Sequence, residues 1–412
     1  MGPKPLPPPP SANPRNAASP RPPARRRAKA DNPRMSIEQI SPAQARARQQ
    51  AGAVLIDVRE THERASGQAE HALGVAKDAL EADPAATVPD RGAEIVLICQ
   101  SGARSLRAAQ ALLQAGYARV ASVDGGTARW IAEGLPLAQL RQSADEIDFY
   151  DRYSRHLRLP EVGEAGQRKL QAARVAMVGA GGLGSPAAFY LAAAGVGTLV
   201  LADDDVVDRS NLQRQILHTE DRIGTPKVES AKIALQALNP RLRVETFAER
   251  ITSDNVERLI GEADVVFDGA DNFPVRYLLN DACVKLAKPL VYGAIHRFEG
   301  QVSLFDAGRH RGQCPCYRCL FPEPPPPEAA PNCAEAGVLG VLPGVIGLVQ
   351  ATEVVKLILG LGESLAGRLL HFDALAMRFR ETRLRPDPEC PVCAAGRAFA
   401  GYIDYQAFCA AP

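Results

Sequence analysis

The sequence predicts an α/β fold in two domains: a small unit with a parallel sheet, then a larger doubly wound unit carrying a four-cysteine site. Three observations predict it. Short apolar runs alternate with helix-length stretches along most of the chain, the pattern of parallel strands joined by crossover helices. A glycine-rich turn, "VGAGGLGS" (178–185), sits between one such run and the helix-like "PAAFYLAAAG". Two Cys-x-x-Cys pairs lie late in the chain, about seventy residues apart. With 412 residues, 46% of them hydrophobic, there is enough chain for two or three real cores.

The first 34 residues hold eleven prolines and eight Lys/Arg against one acid. Such a segment cannot offset its chain entropy by burial and is expected to be disordered. A transit peptide fits poorly, because the prolines forbid an amphipathic helix. A start at Met35, with the preceding stretch misassigned, is the simpler reading. The net charge is +1, but this segment carries +7 and leaves the rest near −6. The folded part therefore lacks the basic footprint of a nucleic-acid binder.

Residues 35–140 form the predicted small domain. "AVLIDV" (53–58), "EIVLIC" (94–99) and "ARVASV" (118–123) read as buried strands with helices between them. The second of these ends in "CQSGARS" (99–105). In such sheets ligands sit at the carboxyl ends of strands. Cys99 occupies that end, just before a helix whose first N–H groups can form an anion nest. Arg104 adds positive charge, so the setting favours thiolate, the nucleophilic form. A phosphatase loop would place five residues between cysteine and arginine; here there are four. The loop resembles that of the rhodanese family, as do "LIDVRETHERASGQ" (55–68) and "DGGTARWIAEGLP" (124–136), over roughly residues 40–140. The resemblance implies a rhodanese-like sulfurtransferase domain in which Cys99 carries a persulfide sulfur, with Asp57 and Arg59 holding the loop.

Residues 141–150, within a polar stretch, read as a linker, and 151–412 as the larger, Rossmann-like domain. Its predicted strands are "RVAMVGA" (174–180), "TLVLADDD" (198–205), "RVETFAE" (243–249), "DVVFDGAD" (264–271) and "KPLVYGAI" (288–295). Gly182 and its neighbours let phosphate approach a helix N-terminus, a feature shared by NAD, FAD and ATP sites. Asp203, at the end of the next strand, can take ribose hydroxyls; Asp205 is a second candidate in the same phase. To this point a dehydrogenase fits equally well. "SNLQRQ" (210–215), Lys227 in "GTPKVESAK" and Asp271–Asn272 in "DGADN" tip the balance. Arg, Lys and a carboxylate suited to Mg²⁺ are equipment for phosphate charge rather than for hydride.

Together with "RYSRHLRLP" (152–160), "GGLGSP", "PKVESA", "YRCLFP" and "IDYQAFC" (403–409), these stretches resemble the ubiquitin-activating-like adenylyltransferases of the ThiF and molybdopterin-synthase-adenylyltransferase group. The resemblance implies ATP and Mg²⁺ as cofactors. It places Gly182 and Asp203 on the nucleotide, and Asn211, Arg214 and Lys227, in the Ser210–Leu212–Gln213 turn and beyond, on the triphosphate. It puts Asp271 and Asn272 at the magnesium and α-phosphate, and Arg155 in the partner subunit's site of a homodimer.

Cys316, Cys319, Cys390 and Cys393 make two Cys-x-x-Cys pairs, a closed tetrahedral Zn²⁺ set of structural type. Cys333 follows a proline run, and the resemblance implies that a cysteine here can bond the carrier or resolve a persulfide adduct. Cys283 and Cys409 read as packing residues, Cys314 as a spectator, and His156 and His296 as satisfying local polar groups; the seven histidines show no ligand or triad spacing. The apolar stretch 338–360 is broken by Pro343, Gln350, Glu353 and Lys356, and reads as a buried helix rather than a membrane span. Unpaired-looking thiols point to the reducing cytoplasm.

The resemblance implies one reaction: ATP-dependent adenylylation of the C-terminal glycine of a small ubiquitin-like sulfur-carrier protein ending in Gly-Gly. A Cys99 persulfide, loaded by a donor such as a cysteine desulfurase, then yields a thiocarboxylate. An adenylyltransferase with the small domain as a regulatory or binding module is the alternative. The small domain stands first here, whereas familiar fused relatives carry it last.

Overall fold

The runs read as strands become strands because both of their faces are covered, which is what continuous apolar sequence requires. A computed structural model describes residues 37–65, 67–138, 143–325 and 337–410. The basic N-terminal segment and Cys333 lie outside the described residues. The chain divides into two compact units, one holding Gln68–Ala138 and the chain up to Glu60, the other holding Thr61–Gly67 and the chain from Gln139.

In the first unit β1 (Glu38–Ile40), β2 (Val54–Asp57), β3 (Leu73–Gly74), β4 (Glu94–Ile98) and β5 (Arg119–Val123) form one sheet. Its order is β1-β5-β4-β2-β3, and every pairing is parallel. The edge strands β1 and β3 escape a sequence reading because they are two or three residues long. Helix α1 (Pro42–Gln50) starts in a Ser41–Gln44 capping box, which satisfies two otherwise orphaned N–H groups. Helices α2 (Ala103–Gln114) and α3 (Gly126–Ala132) begin at the carboxyl ends of β4 and β5. Both faces of the sheet are apolar: Ile56, Ile95 and Leu97 pack on one side, and Leu55, Val96, Ile98 and Trp130 on the other.

The stretch expected to be a linker is helical from Ala144 to Arg152, as α4. A Ser143–Glu146 capping box starts it, and its polar residues face outward while Phe149 and Tyr150 are buried. Polar composition hid the 3.6-residue spacing of the few residues that face in.

The second unit has an eight-stranded mixed sheet. Its strands are β6 (Arg174–Val178), β7 (Thr198–Ala202), β8 (Arg243–Phe247), β9 (Val265–Asp268), β10 (Leu290–His296), β11 (Glu299–Phe305), β12 (Arg368–Asp373) and β13 (Arg378–Arg383). The order is β8-β7-β6-β9-β10-β11-β12-β13. The first five are parallel, as predicted; β10 to β13 pair antiparallel. The antiparallel half extends the expected doubly wound sheet, and its outer strand "RFRETR" is exposed throughout, so burial leaves no mark on its sequence. Helix α5 (Gly184–Ala194) follows β6, α6 (Lys227–Leu238) precedes β8, and α7 (Phe273–Lys285) follows β9.

Helix α8 (Leu342–Leu359) is long and apolar enough, by length and composition, to cross a membrane, and half of it is buried within the protein. Its internal polar residues are used there. Gln350 Nε2 donates to the carbonyls of Asp268 and Val291 at 2.8 and 3.2 Å, and Glu353 accepts from the Leu365 amide and from Lys356 Nζ at 2.6 Å. Partners of this kind mark a core helix. The C-terminal helix α9 spans Tyr405–Ala410.

Candidate functional site

In the first unit β4 delivers Cys99 to the sheet's carboxyl end, where α2 begins. Its Sγ accepts from the Gly102 amide at 3.2 Å and from the Ser105 hydroxyl at 3.4 Å. Burial pushes the thiol up, but the Ser105 hydroxyl and the amides of Ser105, Ser101 and Gly102 outweigh it, and the pKa lies below the ordinary thiol value. Arg104 follows in the first turn of α2, half-buried. Arg59 grips Asp57 through Nε and Nη2, the latter at 2.7 Å, with both residues buried, and reaches Gln100 Oε1 at 3.3 Å. The pair thus touches the loop one residue past the cysteine. The "DGG" turn touches it from the other side: the Thr127 amide donates to the Cys99 carbonyl at 2.8 Å. Gly126 has φ +58°, and a Cβ there would lie 2.1 Å from that carbonyl oxygen, so only glycine permits the approach.

In the second unit a cavity of about 840 Å³ opens at the carboxyl ends of the parallel strands. Gly182, Asp203, Arg214, Lys227, Asp271 and Asn272 all line it. Gly179 has φ +93° and a Cβ there would meet the Gly269 carbonyl at 2.5 Å, so the glycine turn and the β9 loop press together only without side chains. Asp203 Oδ2 accepts from the Ala180 amide at 2.8 Å, fastening the turn. Burial raises its pKa, against the pull of Lys227. Lys227 Nζ lies 2.8 Å from Asp205 and 4.0 Å from Asp203, so both candidate aspartates face the same cation. Arg214 is held by Asn211 Oδ1 at 3.0 Å and by the Ser210 carbonyl at 3.4 Å. Asn211 thus braces Arg214, and Ser210, Asn211, Leu212 and Gln213 are not among the cavity's walls. Asn272 caps α7 by accepting from the Val275 amide at 3.1 Å and donates to Asp271 at 3.2 Å. Asp271 therefore stands at a helix N-terminus, where the dipole favours phosphate. Arg155 is exposed, and its guanidinium donates to the neighbouring Ser154 hydroxyl at 3.5 Å.

Two residues that support the site, one lining the cavity and one behind the glycine turn, escaped the sequence reading. Arg276, buried under the β9 loop, donates to the carbonyls of Ala270 and Gly293 at 2.7 and 3.1 Å and faces Asp268 at 3.8 Å. Burial pushes the Asp268 carboxyl up to about 6 despite Arg276. His218 bridges Ser230 Oγ and the Ala180 carbonyl, and burial pushes it down to about 4, so a neutral ring holds the glycine turn. An arginine one turn into the helix, on the stretch before its polar Asn280–Asp281 step, was the available signal for the first; nothing marked the second. His156 pairs with Gln167 at 2.8 Å. Cys283 packs in the core; Cys409 packs half-buried and also borders the cavity from α9, its pKa raised to about 11 by burial.

The two Cys-x-x-Cys pairs converge. Sγ separations are 3.3 Å for Cys319–Cys393, 3.6 Å for Cys316–Cys390 and 4.0 Å for Cys316–Cys319. All four sulfurs lie within 4.8 Å of one another. A metal–sulfur bond of about 2.3 Å in a tetrahedron implies sulfur–sulfur separations of about 3.8 Å. The donor set and spacing therefore fit a metal ion such as zinc. The knuckle is also anchored: Arg318 forms a two-pronged pair with Asp281 of α7 at 2.9 and 2.8 Å, and Tyr405 of α9 donates to the same carboxylate at 2.8 Å.

These features define the class: an α/β protein with a helix-terminus anion site in one unit and an amide-cradled thiol in the other. Residues 153–392 match the ThiF family and residues 41–133 match the rhodanese-like domain; the chain belongs to the ThiF family. Curated relatives agree. The sulfur carrier protein adenylyltransferase of Thermus thermophilus is 52% identical over 242 residues, 58% of this chain and 89% of that one. The SAMP-activating enzyme E1 of Haloferax volcanii is 54% identical over 244 residues, 59% of this chain and 88% of that one. The adenylyltransferase and sulfurtransferase MOCS3-1 of Drosophila pseudoobscura pseudoobscura is 47% identical over 304 residues, 74% of this chain and 66% of that one. Among solved structures, E. coli MccB superposes with a TM-score of 0.52 at 23% identity over 64% of this chain and 76% of that one, a likeness of fold.

Proposed function

We propose that the chain adenylylates the C-terminal carboxylate of a small ubiquitin-like sulfur-carrier protein with ATP, and that Cys99 supplies the sulfur that turns the product into a thiocarboxylate. The observation that carries the reading is the cavity itself: the glycine turn, two held cations and a carboxylate at a helix N-terminus share one space of about 840 Å³. The names of the relatives support it. The carrier's carboxylate oxygen bonds the α-phosphorus as the bond to the β-phosphate oxygen breaks, releasing pyrophosphate. The nucleophile is already an anion, so no general base is needed; the obstacle is repulsion between anions. Lys227 and Arg214 oppose it, with Lys227 exchanging Asp205 for phosphate. Asp271 and Asn272 would hold Mg²⁺, which when bound neutralises phosphate charge. In the assembled homodimer Arg155 completes the partner's site.

The outer sulfur of a Cys99 persulfide, loaded by a donor of the cysteine-desulfurase type, then attacks the acyl carbon and AMP leaves. A second thiol cleaves the resulting acyl disulfide, giving thiocarboxylate and a protein disulfide; Cys333 is the candidate. Zinc at Cys316, Cys319, Cys390 and Cys393 is structural, with no open position for substrate. Free thiols of this kind fit the reducing cytoplasm.

The test is pyrophosphate exchange with a Gly-Gly-ending carrier present. Wild type should exchange only with carrier, and Asp271→Ala should lose about 100-fold, the scale of removing one electrostatic contact to developing charge. Unreduced exchange in that variant would remove Asp271 from the magnesium site.

A further inference from the structure

The sulfur of Cys99 has support that lies behind the amide cradle. Ser105, on the first turn of α2, is fully buried, and Ser122, near the end of β5, is 1% exposed. The Ser122 hydroxyl donates to Ser105 Oγ at 2.9 Å. Ser105 Oγ in turn lies 3.4 Å from Cys99 Sγ and 3.0 Å from the Gly102 carbonyl oxygen. With the Ser122 proton on one lone pair, Ser105 has one proton and two acceptors for it. A carbonyl is the better acceptor than a neutral or capped sulfur, and a thiolate the better acceptor than a carbonyl. The hydroxyl thus turns to Sγ when the sulfur is anionic and back to Gly102 when it is not. Burying two hydroxyls is costly unless they are used, and the residues beside Ser122 on β5 are Ala121 and Val123.

We propose that Ser105, backed by Ser122, is a positioning residue for Cys99: it holds the bare thiolate towards an incoming sulfur donor and lets go once that sulfur is capped. The proposal rests on Cys99 being the sulfur acceptor. In the loading step with thiosulfate, the thiolate bonds the outer sulfur, the sulfur–sulfur bond of thiosulfate breaks, and sulfite leaves with its electron pair. The persulfide's charge then sits on the outer sulfur, beyond Ser105, and cyanide takes that sulfur as thiocyanate while Cys99 returns to thiolate. Among the described residues, the charged groups at this end of the sheet include the Asp57–Arg59 pair, whose charges cancel, Arg104 on α2, and the exposed Arg129, which pairs with both Asp124 and Glu133. The first is internally neutral, and the Ser105 hydroxyl is a side-chain donor that meets Sγ directly.

The test follows iodoacetamide alkylation of Cys99 in the full chain from pH 5 to 10, read by mass spectrometry of the Cys99 peptide. Ser105→Ala should slow alkylation about tenfold at pH 7 and converge with wild type above about pH 10, where the thiol ionises unaided. Ser122→Ala, which keeps Ser105 in place, should shift the profile the same way by about threefold, and Ser105→Thr should restore it. With thiosulfate and cyanide, Ser105→Ala should slow loading about tenfold and unloading of a preformed persulfide by less than about threefold. An unmoved profile in both alanine variants, or equal slowing of both transfer steps, overturns the proposal. If wild type takes no sulfur from thiosulfate, the sulfur-acceptor reading falls, and the alkylation profiles still decide the positioning role.

Discussion

Cys99 and the Cys316–Cys319–Cys390–Cys393 knuckle use one residue type in opposite ways. At Cys99 a single sulfur is surrounded by donors, the amides of Ser101, Gly102 and Ser105 and a buried hydroxyl, all of which favour negative charge on it. In the knuckle four sulfurs crowd within 4.8 Å, and the Asp387 amide donates to Cys319 at 3.3 Å. Four thiolates there repel one another unless a cation sits between them. The difference teaches that a cysteine's chemistry follows from what surrounds the sulfur: donors favour a thiolate, and a cluster of sulfurs suits a metal ion.

The comparison breaks most severely at the knuckle. Cys390→Ser should abolish a stoichiometric zinc per chain and lower thermal stability strongly, because structural zinc sites carry folding free energies on the order of 10 kcal/mol. Metal analysis with a melting curve measures both; unchanged zinc would exclude this ligand set. At the other sulfur the expected result is the reverse. Cys99→Ala should abolish transfer from thiosulfate or a persulfide donor, leaving zinc content and adenylylation of the carrier intact. Mass spectrometry of the carrier reads acyl-adenylate against thiocarboxylate, and normal thiocarboxylate formation would make the small unit a regulatory or binding module instead. The smallest effect sharpens how the knuckle is anchored. Tyr405→Phe removes one of four hydrogen bonds to the Asp281 carboxylate and should cost about 1–3 kcal/mol, read by denaturant unfolding, with zinc retained.

Much of this was legible beforehand because it is local. The strand runs, the glycine turn and its helix, the cysteine at a strand end and the Cys-x-x-Cys spacings are short-range patterns, and each falls where its periodicity or spacing placed it. The outer antiparallel strands of the large sheet were illegible because β12 is only partly buried and β13 is polar and wholly exposed, and α4 because its few buried residues are outnumbered by charges. Ser210, Leu212 and Gln213 entered the site reading by their place in a motif, and of that stretch Arg214 and Gln215 wall the cavity.

By itself the sequence determined the two-domain α/β plan, the position of Cys99, and the set of residues able to meet phosphate or metal. These depend on residue type and spacing along a few turns of chain. Only the tertiary structure decided which distant groups share an environment. It put Ser122 behind Ser105, Arg276 and Gln350 under the β9 loop, His218 against the glycine turn, and "YRCLFP" and "IDYQAFC" together on the Asp281 carboxylate. The physical reason is that a buried polar group must find its partner wherever the fold brings one within about 3 Å, at any separation along the chain.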